Sequence, residues 1–384
     1  MAILQDIKVS YKPLGGFIAI GLAWSAFFAQ MPVVKAGTGA SDGAFGLAML
    51  WASVGAVAAM WMAPWAYQRA GRFAVPLSIC VIAAGLVGAG MVGTLWALAI
   101  MLFLISIGTG VVDVLINAQV AEIEARTGRK LMSLNHSLYS FAYAAAAFGV
   151  GGFRTAGWTP VQIFWVCFVI LGVLAFTTIG RRVAVSAQSE GPTPNAGLPI
   201  ALVLAAGALV FFAFLTESST EGWSALYIER ELHGSAQQGA MGPAMLGLMM
   251  GIGRLSGHVL TRAMSEIRLM VLGALLAGGG LAGVALAQTV VAALVCFALV
   301  GLGVSVLAPL TMALVGRAVP QAMRLAVIAR VSVLGYGAFF CGPPLVGLIA
   351  EGVSLNVAFL VIGGVIGLTA VTLVPLVARL SVLR

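Results

Sequence analysis

The feature that most constrains this chain is a series of apolar runs, each long enough for a helix that crosses a membrane. Such a helix needs roughly 20 apolar residues to span the hydrocarbon of a bilayer. Of the 384 residues, 61% are hydrophobic and only 8% are Asp, Glu, Lys or Arg, whereas soluble domains carry roughly 25% charged residues. So few charges cannot cover a water-facing surface. We therefore predict an all-α protein embedded in a lipid bilayer.

Twelve such runs follow one another along the chain, six on each side of a polar segment. The predicted spans are residues 16–34, 45–66, 73–91, 95–120, 132–152, 160–179, 198–215, 240–260, 267–286, 290–316, 325–350 and 357–377. The pattern of the seventh span could also continue through Trp223 to Ile228. The polar segment, residues 181–197, is rich in Pro and Ser and is typical of a linker. We predict a six-helix bundle over residues 1–180, a cytoplasmic linker, and a second six-helix bundle over residues 198–384.

The positive charges are distributed unevenly between alternate loops. With the N-terminus in the cytoplasm, 15 of the 20 Lys and Arg residues fall on the cytoplasmic side, and three, Lys35, Arg154 and Arg230, fall outside. Loops rich in Lys and Arg stay in the cytoplasm. We therefore predict that both termini lie on the cytoplasmic side of a bacterial inner membrane. These cations occur singly or in pairs rather than in one basic patch, which argues against a nucleic-acid partner.

A repeat relates the two halves of the chain. Arg69, between the second and third runs, lies 193 residues before Arg262, between the eighth and ninth. The same offset takes residues 108–110 (Gly-Thr-Gly) to residues 301–303 (Gly-Leu-Gly). Paired halves in a membrane protein imply a site at their interface and rocking between two access states. The repeat therefore predicts two pseudo-symmetric bundles of a secondary transporter.

Three short segments carry a resemblance to a known family. They are residues 113–119 (DVLINAQ) in the fourth span, residues 132–136 (MSLNH) in the fifth, and Glu217 with residues 223–227 (WSALY) after the seventh. Together with the twelve spans, the linker and the short basic turn after the second span, they resemble the major facilitator superfamily. Within it, they resemble bacterial fucose-permease-like transporters. The resemblance implies the major facilitator fold, with a small-molecule substrate bound between the bundles.

The loop signature of that superfamily, G-x-x-x-D-R-x-G-R, is only partly kept. Arg69 and Arg72 match it, but Gln68 replaces the aspartate, and in the second half Arg262 matches while the acid is again missing. The resemblance implies gating roles for these three arginines, but a charge lock that depends on the aspartate is not expected. Residues 132–152 also lack the proline found in the fifth span of drug antiporters, which disfavours a drug pump.

Asp113 is the first candidate for transport chemistry. An ionisable residue inside a span costs roughly 2.5–3.5 kcal/mol on insertion scales, so a function is the default expectation. Asp113 shares a helical face with Asn117, one turn later. We predict that Asp113 exchanges a proton during transport; a static ion pair or a helix–helix hydrogen bond is the alternative. His136, beside Asn135, is either a proton relay or a satisfied hydrogen-bonding residue.

The other candidates are expected at three kinds of position. Predicted substrate contacts, besides Asn117 and Asn135, are Trp24, Tyr139, Tyr143, Arg330 and Tyr336. Glu217 is a further proton-coupling candidate, and Arg254, Glu221 and Trp223 are further gating candidates. Glu217 and Glu221 are expected at the outer end of the seventh span, where simple solvation is the alternative. For Arg254, snorkelling to the inner interface is favoured over gating.

Arg330 is expected to hold an anionic substrate group or to pair with Asp113, with snorkelling as its alternative. No Ser-His-Asp arrangement, HExxH sequence, phosphate loop or metal-binding Cys/His spacing occurs, so we expect neither an enzyme nor a cofactor. We expect a monomer that moves a small polar solute by proton-coupled symport or exchange. A proton-driven efflux pump, which a broad apolar cavity would favour, and a polytopic membrane enzyme are the other hypotheses.

Overall fold

The computed structural model describes residues 2–180 and 199–382, and nearly all of these residues are helical. The helices are α1 (Ala2–Thr38), α2 (Asp42–Ala70), α3 (Ala74–Met91), α4 (Leu95–Thr127), α5 (Met132–Thr155), α6 (Pro160–Thr177), α7 (Ile200–Arg230), α8 (Ala236–Ala263), α9 (Glu266–Leu286), α10 (Val290–Ala318), α11 (Gln321–Gly352), α12 (Leu355–Thr369) and α13 (Leu373–Val382). The predicted linker lies outside the described residues. Because α12 and α13 together form the last span, the described chain has the twelve predicted spans.

Serine and threonine side chains fix where many of these helices begin. In front of seven helices, a hydroxyl oxygen accepts a hydrogen bond from a backbone N–H of the first turn. These capping residues are Ser41, Thr94, Thr159, Ser235, Ser265, Thr289 and Ser354. The first four N–H groups of a helix have no partner within it, and such a cap satisfies one of them.

Several helices extend beyond the predicted spans. α1 begins at Ala2 rather than residue 16, and α7 continues to Arg230 rather than ending at residue 215. The end predicted at residue 215 was too early, and α7 follows the alternative continuation through Trp223 to Ile228. Most of the polar residues after Leu215, Thr216 and residues 218–220, are buried rather than exposed to water. The last predicted span is found as Leu355–Val382, with a short turn between α12 and α13 inside it.

In the described ranges, nine helical stretches are long and apolar enough to cross a membrane by length and composition alone. One of them, Asp42–Met91, contains both α2 and α3. α5 and α8 are not among the nine, and they pack against each other between the bundles. Their polar residues lower their hydropathy but face the interior of the molecule, as buried Asn135 and Ser140 show.

The outer surface of the helices is apolar. Trp61 is 83% exposed, Phe176 is 77% exposed and Trp96 is 75% exposed. Soluble proteins rarely expose large contiguous apolar patches. A lipid bilayer is the solvent that this surface fits, in agreement with the predicted membrane location.

The helices of the two halves pack in corresponding ways. In the first bundle α1 packs on α5, α2 on α4, and α3 on α4 and α6; in the second bundle α7 packs on α11, α8 on α10, and α9 on α10 and α12. The contacts between bundles follow the same correspondence, since α5 packs on α8 and α2 packs on α11. This pattern confirms the two pseudo-symmetric six-helix bundles that the 193-residue offset predicts.

Candidate functional site

A cavity of about 280 Å³ lies between the bundles. The first bundle contributes lining residues from α1, α2, α4 and α5, and the second contributes them from α7 and α11. Most of the wall is apolar, and six lining residues are aromatic: Trp24, Phe28, Tyr139, Tyr336, Phe339 and Phe340. The structure thus places three of the predicted substrate contacts, Trp24, Tyr139 and Tyr336, in the cavity wall.

Three carboxylates also line this cavity. Asp113 comes from α4 of the first bundle, while Glu217 and Glu221 come from successive turns of α7 in the second. No Lys or Arg is among the described lining residues. Glu217 and Glu221 are therefore not at the outer end of a span, as expected from the sequence, but in the middle of a long helix. The correction follows because α7 continues to Arg230, fifteen residues past the predicted end at residue 215.

Asp113 is connected by hydrogen bonds to two other predicted residues. The side-chain amide of Asn117 donates to Asp113 Oδ1 over 2.9 Å and to the Asp113 carbonyl over 2.8 Å. His136 Nε2 lies 3.3 Å from Asn117 Oδ1, and its ring meets Phe17 edge-on at 4.8 Å. The three residues form a polar chain from the cavity wall on α4 to the beginning of α5.

Arg254 contacts residues of both bundles. Its Nη2 atom lies 3.4 Å from Glu217 Oε1 on α7, and its Nη1 atom donates to Ser140 Oγ on α5 over 2.8 Å. The side chain is only 18% exposed. The favoured expectation that Arg254 snorkels was wrong. The sequence indicates how deep Arg254 lies in the membrane. It does not indicate the direction of the side chain, which depends on how α8 packs against α5 and α7.

The 193-residue offset relates cavity residues to one another. It takes Trp24 to Glu217 and Phe28 to Glu221, and all four line the cavity. Equivalent positions of α1 and α7 thus line the same cavity, with aromatic rings on α1 and carboxylates on α7. The repeat alone could therefore have identified Phe28 as a residue of the cavity wall.

Four other predicted residues lie away from the cavity wall. Asn135 is fully buried and donates to Ser10 Oγ and to the Leu131 carbonyl. Tyr143 is 1% exposed and Trp223 is fully buried. Arg330 donates to the Ala326 carbonyl on its own helix. None of these four is among the lining residues.

One end of the molecule, here called the paired end, is closed by polar contacts between the bundles. Arg154 of α5 binds Glu229 of α7 through two hydrogen bonds of 2.6 and 2.8 Å. Asp42 of α2 accepts from Arg230 of α7 over 2.7 Å and also from Lys35 of α1. Each of the three cations predicted to lie outside takes part in these contacts.

A further contact at the paired end involves Glu351 of α11. Its Oε2 atom accepts hydrogen bonds from Ser41 Oγ over 2.7 Å and from the Gly43 N–H over 2.6 Å. Sequence reasoning missed Glu229 and Glu351 as partners, because their partners come from the other half of the chain. Only the tertiary structure shows that α2 meets α11 and that α5 meets α7 at this end.

At the opposite end, here called the terminal end, the ion pairs join helices within one bundle. Asp6 binds Arg129 in the first bundle, and Glu266 binds Arg317 in the second. The predicted gating residues Arg69, Arg72 and Arg262 are exposed here, away from the cavity. Arg69 lies over the Trp65 ring at 5.6 Å and Arg72 over the Phe73 ring at 4.8 Å.

A family model described as the Major Facilitator Superfamily matches residues 14–295 and 206–382 of this chain. The chain belongs to the major facilitator superfamily. An uncharacterized MFS-type transporter of Yersinia pestis is 28% identical over 344 residues, which are 89% of each chain. Membrane protein MosC of Rhizobium meliloti is 27% identical over 354 residues, or 90% of this chain and 84% of that protein.

Solved structures of major facilitator proteins share the fold at low sequence identity. The inward-open xylose transporter XylE of E. coli superimposes with a TM-score of 0.76 at 13% identity, over 96% of this chain and 95% of that one. The nucleoside transporter NupG gives a TM-score of 0.73 at 13% identity, over 98% and 99% of the two chains. Because its sequence matches the superfamily model, the chain is a multi-pass membrane transporter; the fucose-permease-like branch stays a prediction.

Proposed function

We propose that this superfamily member is a secondary active transporter that moves a small solute through the central cavity by alternating access, coupled to proton movement. One observation carries the proposal: carboxylates of both bundles, Asp113 from one and Glu217 and Glu221 from the other, line the same cavity. Rocking of the bundles would change the surroundings of all three. A group can couple to transport only if its affinity for the proton differs between the two access states.

Alternating access is supported by the difference between the two ends. At the paired end, three sets of hydrogen bonds and ion pairs join the bundles. At the terminal end, the Asp6–Arg129 and Glu266–Arg317 pairs hold each bundle together separately. The structure therefore fits a state that is closed at the paired end. With both termini proposed to be cytoplasmic, the paired end would face the periplasm.

The central test is replacement of Asp113 by asparagine. Asp113→Asn keeps the shape of the side chain and removes its titration. We expect accumulation of substrate driven by a pH gradient to be abolished in proteoliposomes, while counterflow and binding persist. Asp6→Asn is the matched control, because Asp6 pairs with Arg129 away from the cavity. If Asp113→Asn still accumulates substrate against a gradient, Asp113 does not couple transport to protons.

Proton-driven export is the second candidate, and the mainly apolar wall of the cavity favours it. Symport and exchange differ in the sign of their response to a pH gradient. With vesicles alkaline inside, a symporter accumulates its solute. With vesicles acidic inside, a proton exchanger accumulates it. A thermal-shift screen of the purified protein with sugars, carboxylates, nucleosides, amino acids and amines supplies the solute for this measurement, because a ligand stabilises the state that it binds.

A further inference from the structure

We propose that the substrate is a small organic cation with an apolar or aromatic body, held by the Glu221 carboxylate and the aromatic wall of the cavity. This inference rests on the proposed function and names its substrate class. It departs from the small polar solute expected from the sequence. Three features of the cavity carry it: the balance of charge, the rings that line the same cavity as Glu221, and the hydroxyl groups that are already bonded to the backbone.

The residues that line the cavity carry an excess of negative charge. Asp113, Glu217 and Glu221 line it, and the described lining residues include no Lys or Arg. Arg254 is not among the lining residues and is bonded to Glu217 and Ser140. Among the described residues, Glu221 makes no hydrogen bond or ion pair, and only the charges of Glu217 and Arg254 act on it at longer range. An ionised carboxylate enclosed by apolar walls is costly without a partner, and a cationic solute supplies that partner.

Aromatic rings occupy the α1 positions equivalent to the two glutamates. Trp24 and Phe28 stack with ring centroids 5.6 Å apart and an angle of 21° between their planes. In the part of the wall that α11 forms, the ring centroids of Tyr336 and Phe339 lie 6.0 Å apart, with an angle of 30° between their planes. The faces of such rings attract ammonium groups, with Trp the strongest. A carboxylate beside stacked rings thus provides both the charge and the apolar surface that an organic ammonium ion needs.

Three of the six hydroxyl groups of the described wall donate to backbone carbonyls. Ser53 donates to the Phe339 carbonyl over 2.7 Å, Thr109 to the Ser106 carbonyl over 3.2 Å, and Ser218 to the Leu215 carbonyl over 3.3 Å. A sugar or a carboxylate substrate needs several donors directed at it. Three hydroxyl donors remain, beside three carboxylate acceptors and six aromatic rings, so the wall favours a cation over an anion.

Binding at this site would also release a proton, in addition to the proton exchange proposed for Asp113. When the cavity is empty, a proton on Glu221 removes the unpaired charge. When an organic cation binds, that proton leaves to water and the carboxylate pairs with the cation, so the charge of the cavity is unchanged. The other groups that face this region are Asp113 of α4, Glu217 of α7, Arg254 of α8, Tyr139 of α5 and Tyr336 of α11. We therefore expect binding to release about one proton, as a two-state carboxyl group requires.

The test is titration calorimetry of the purified full-length protein with benzyltrimethylammonium, in two buffers of different ionisation enthalpy. Phenylacetate, benzyl alcohol and a hexose serve as anionic, neutral and sugar probes. We expect benzyltrimethylammonium to bind at least tenfold more tightly than the other three and to release about one proton. Glu221→Gln should weaken this binding at least tenfold and abolish the proton release. Glu122→Gln, an exposed residue of α4, should change neither.

A second pair of variants tests the rings. Trp24→Phe should keep most of the affinity for the cation, whereas Trp24→Leu should lower it at least fivefold. Trp61→Leu, on the lipid-facing side of α2, should leave affinity unchanged. Tight binding of the hexose or phenylacetate without the ammonium ion would overturn the cation inference and leave the transporter proposal standing. Equal affinity of wild type and Glu221→Gln for the cation would also overturn it.

Discussion

At the scale of single residues, the pairing of Glu217 with Arg254 determines which charges of the cavity are available. The two side chains are 15% and 18% exposed, so each depends on the other to offset the loss of water. Breaking such a pair by removing one partner is usually more harmful than removing both, because a lone buried charge is left behind. This asymmetry can be measured.

We predict that Arg254→Met destabilises the protein by about 3 kcal/mol, because Glu217 loses its partner. The double variant Arg254→Met with Glu217→Gln should recover most of that loss. Thermal unfolding of the four proteins of the cycle, in the same detergent, measures the coupling. Additive effects of the two substitutions would show that Glu217 and Arg254 act independently.

A second prediction at this scale concerns Gln30 of α1. It is fully buried, and neither atom of its side-chain amide has a hydrogen-bond partner in the described part of the chain. The Trp223 N–H and the Ser224 hydroxyl of α7, which packs on α1, are in the same condition. Such groups would be hydrated if the bundles separated at the paired end.

Gln30→Met should therefore stabilise the state closed at the paired end by about 1 kcal/mol, since an unpaired buried amide is removed. We expect a higher melting temperature together with slower transport. Gln119→Met, on α4 away from the paired end, serves as the control. A lower melting temperature for Gln30→Met would mean that the amide is satisfied in the closed state.

Some of these contacts follow from the sequence and others do not. The bond between Asn117 and Asp113 could be predicted, because residues four apart on a helix are neighbours whatever the fold. The contact of His136 with Asn117 could not be predicted, because it depends on how α5 packs beside α4. The partner of Arg254 could not be predicted, because hydropathy gives the depth of a residue but not the neighbours of its helix.

At the scale of helices, the contact between α5 and α8 holds the bundles together through small residues. A Cβ added to Gly151 would lie 2.8 Å from the Ala240 Cβ and 3.2 Å from the Gln237 Cα. Two residues earlier on α5, a Cβ at Gly149 would meet nothing within 4 Å. Close approach of helices in membranes depends on such small residues.

We predict that Gly151→Ala forces α5 and α8 apart and destabilises the closed paired end by about 1–3 kcal/mol, the usual cost of overpacking. Gly149→Ala should be neutral or slightly stabilising, because alanine is the better helix former. Melting temperatures of the two variants, measured side by side, make the comparison. Equal melting temperatures would mean that the α5–α8 contact is not tight at Gly151.

The number of spans could be predicted because each helix must bury its backbone polar groups in the hydrocarbon. Helix ends were less predictable, as α7 shows. Residues 216–220 (TESST) suggest the end of a span, but all except Glu217 are buried against neighbouring helices. Polar residues inside a membrane protein mark either an end or an interior face, and only the packing of helices distinguishes the two.

In the molecule as a whole, alternating access requires two ends that open in turn. The ion pairs of Arg154 with Glu229 and of Arg230 with Asp42 close the paired end. The terminal-end pairs leave the bundles free to separate there. A solute would cross the membrane when the paired end opens and the terminal end closes. All the proposals made for single residues depend on this change.

The most direct test is to measure the distance between two spin labels across each end of the molecule. The labels are attached to cysteines introduced into a cysteine-free variant that still transports, and each pair is measured under the same conditions. One label pair is placed at exposed Ala156 and Val353 at the paired end, and the other at exposed Ala125 and Ala263 at the terminal end. Breaking the pairs at the paired end with Arg154→Gln and Arg230→Gln should lengthen the first distance and shorten the second. If both distances stay unchanged, or both lengthen together, the bundles do not rock as alternating access requires.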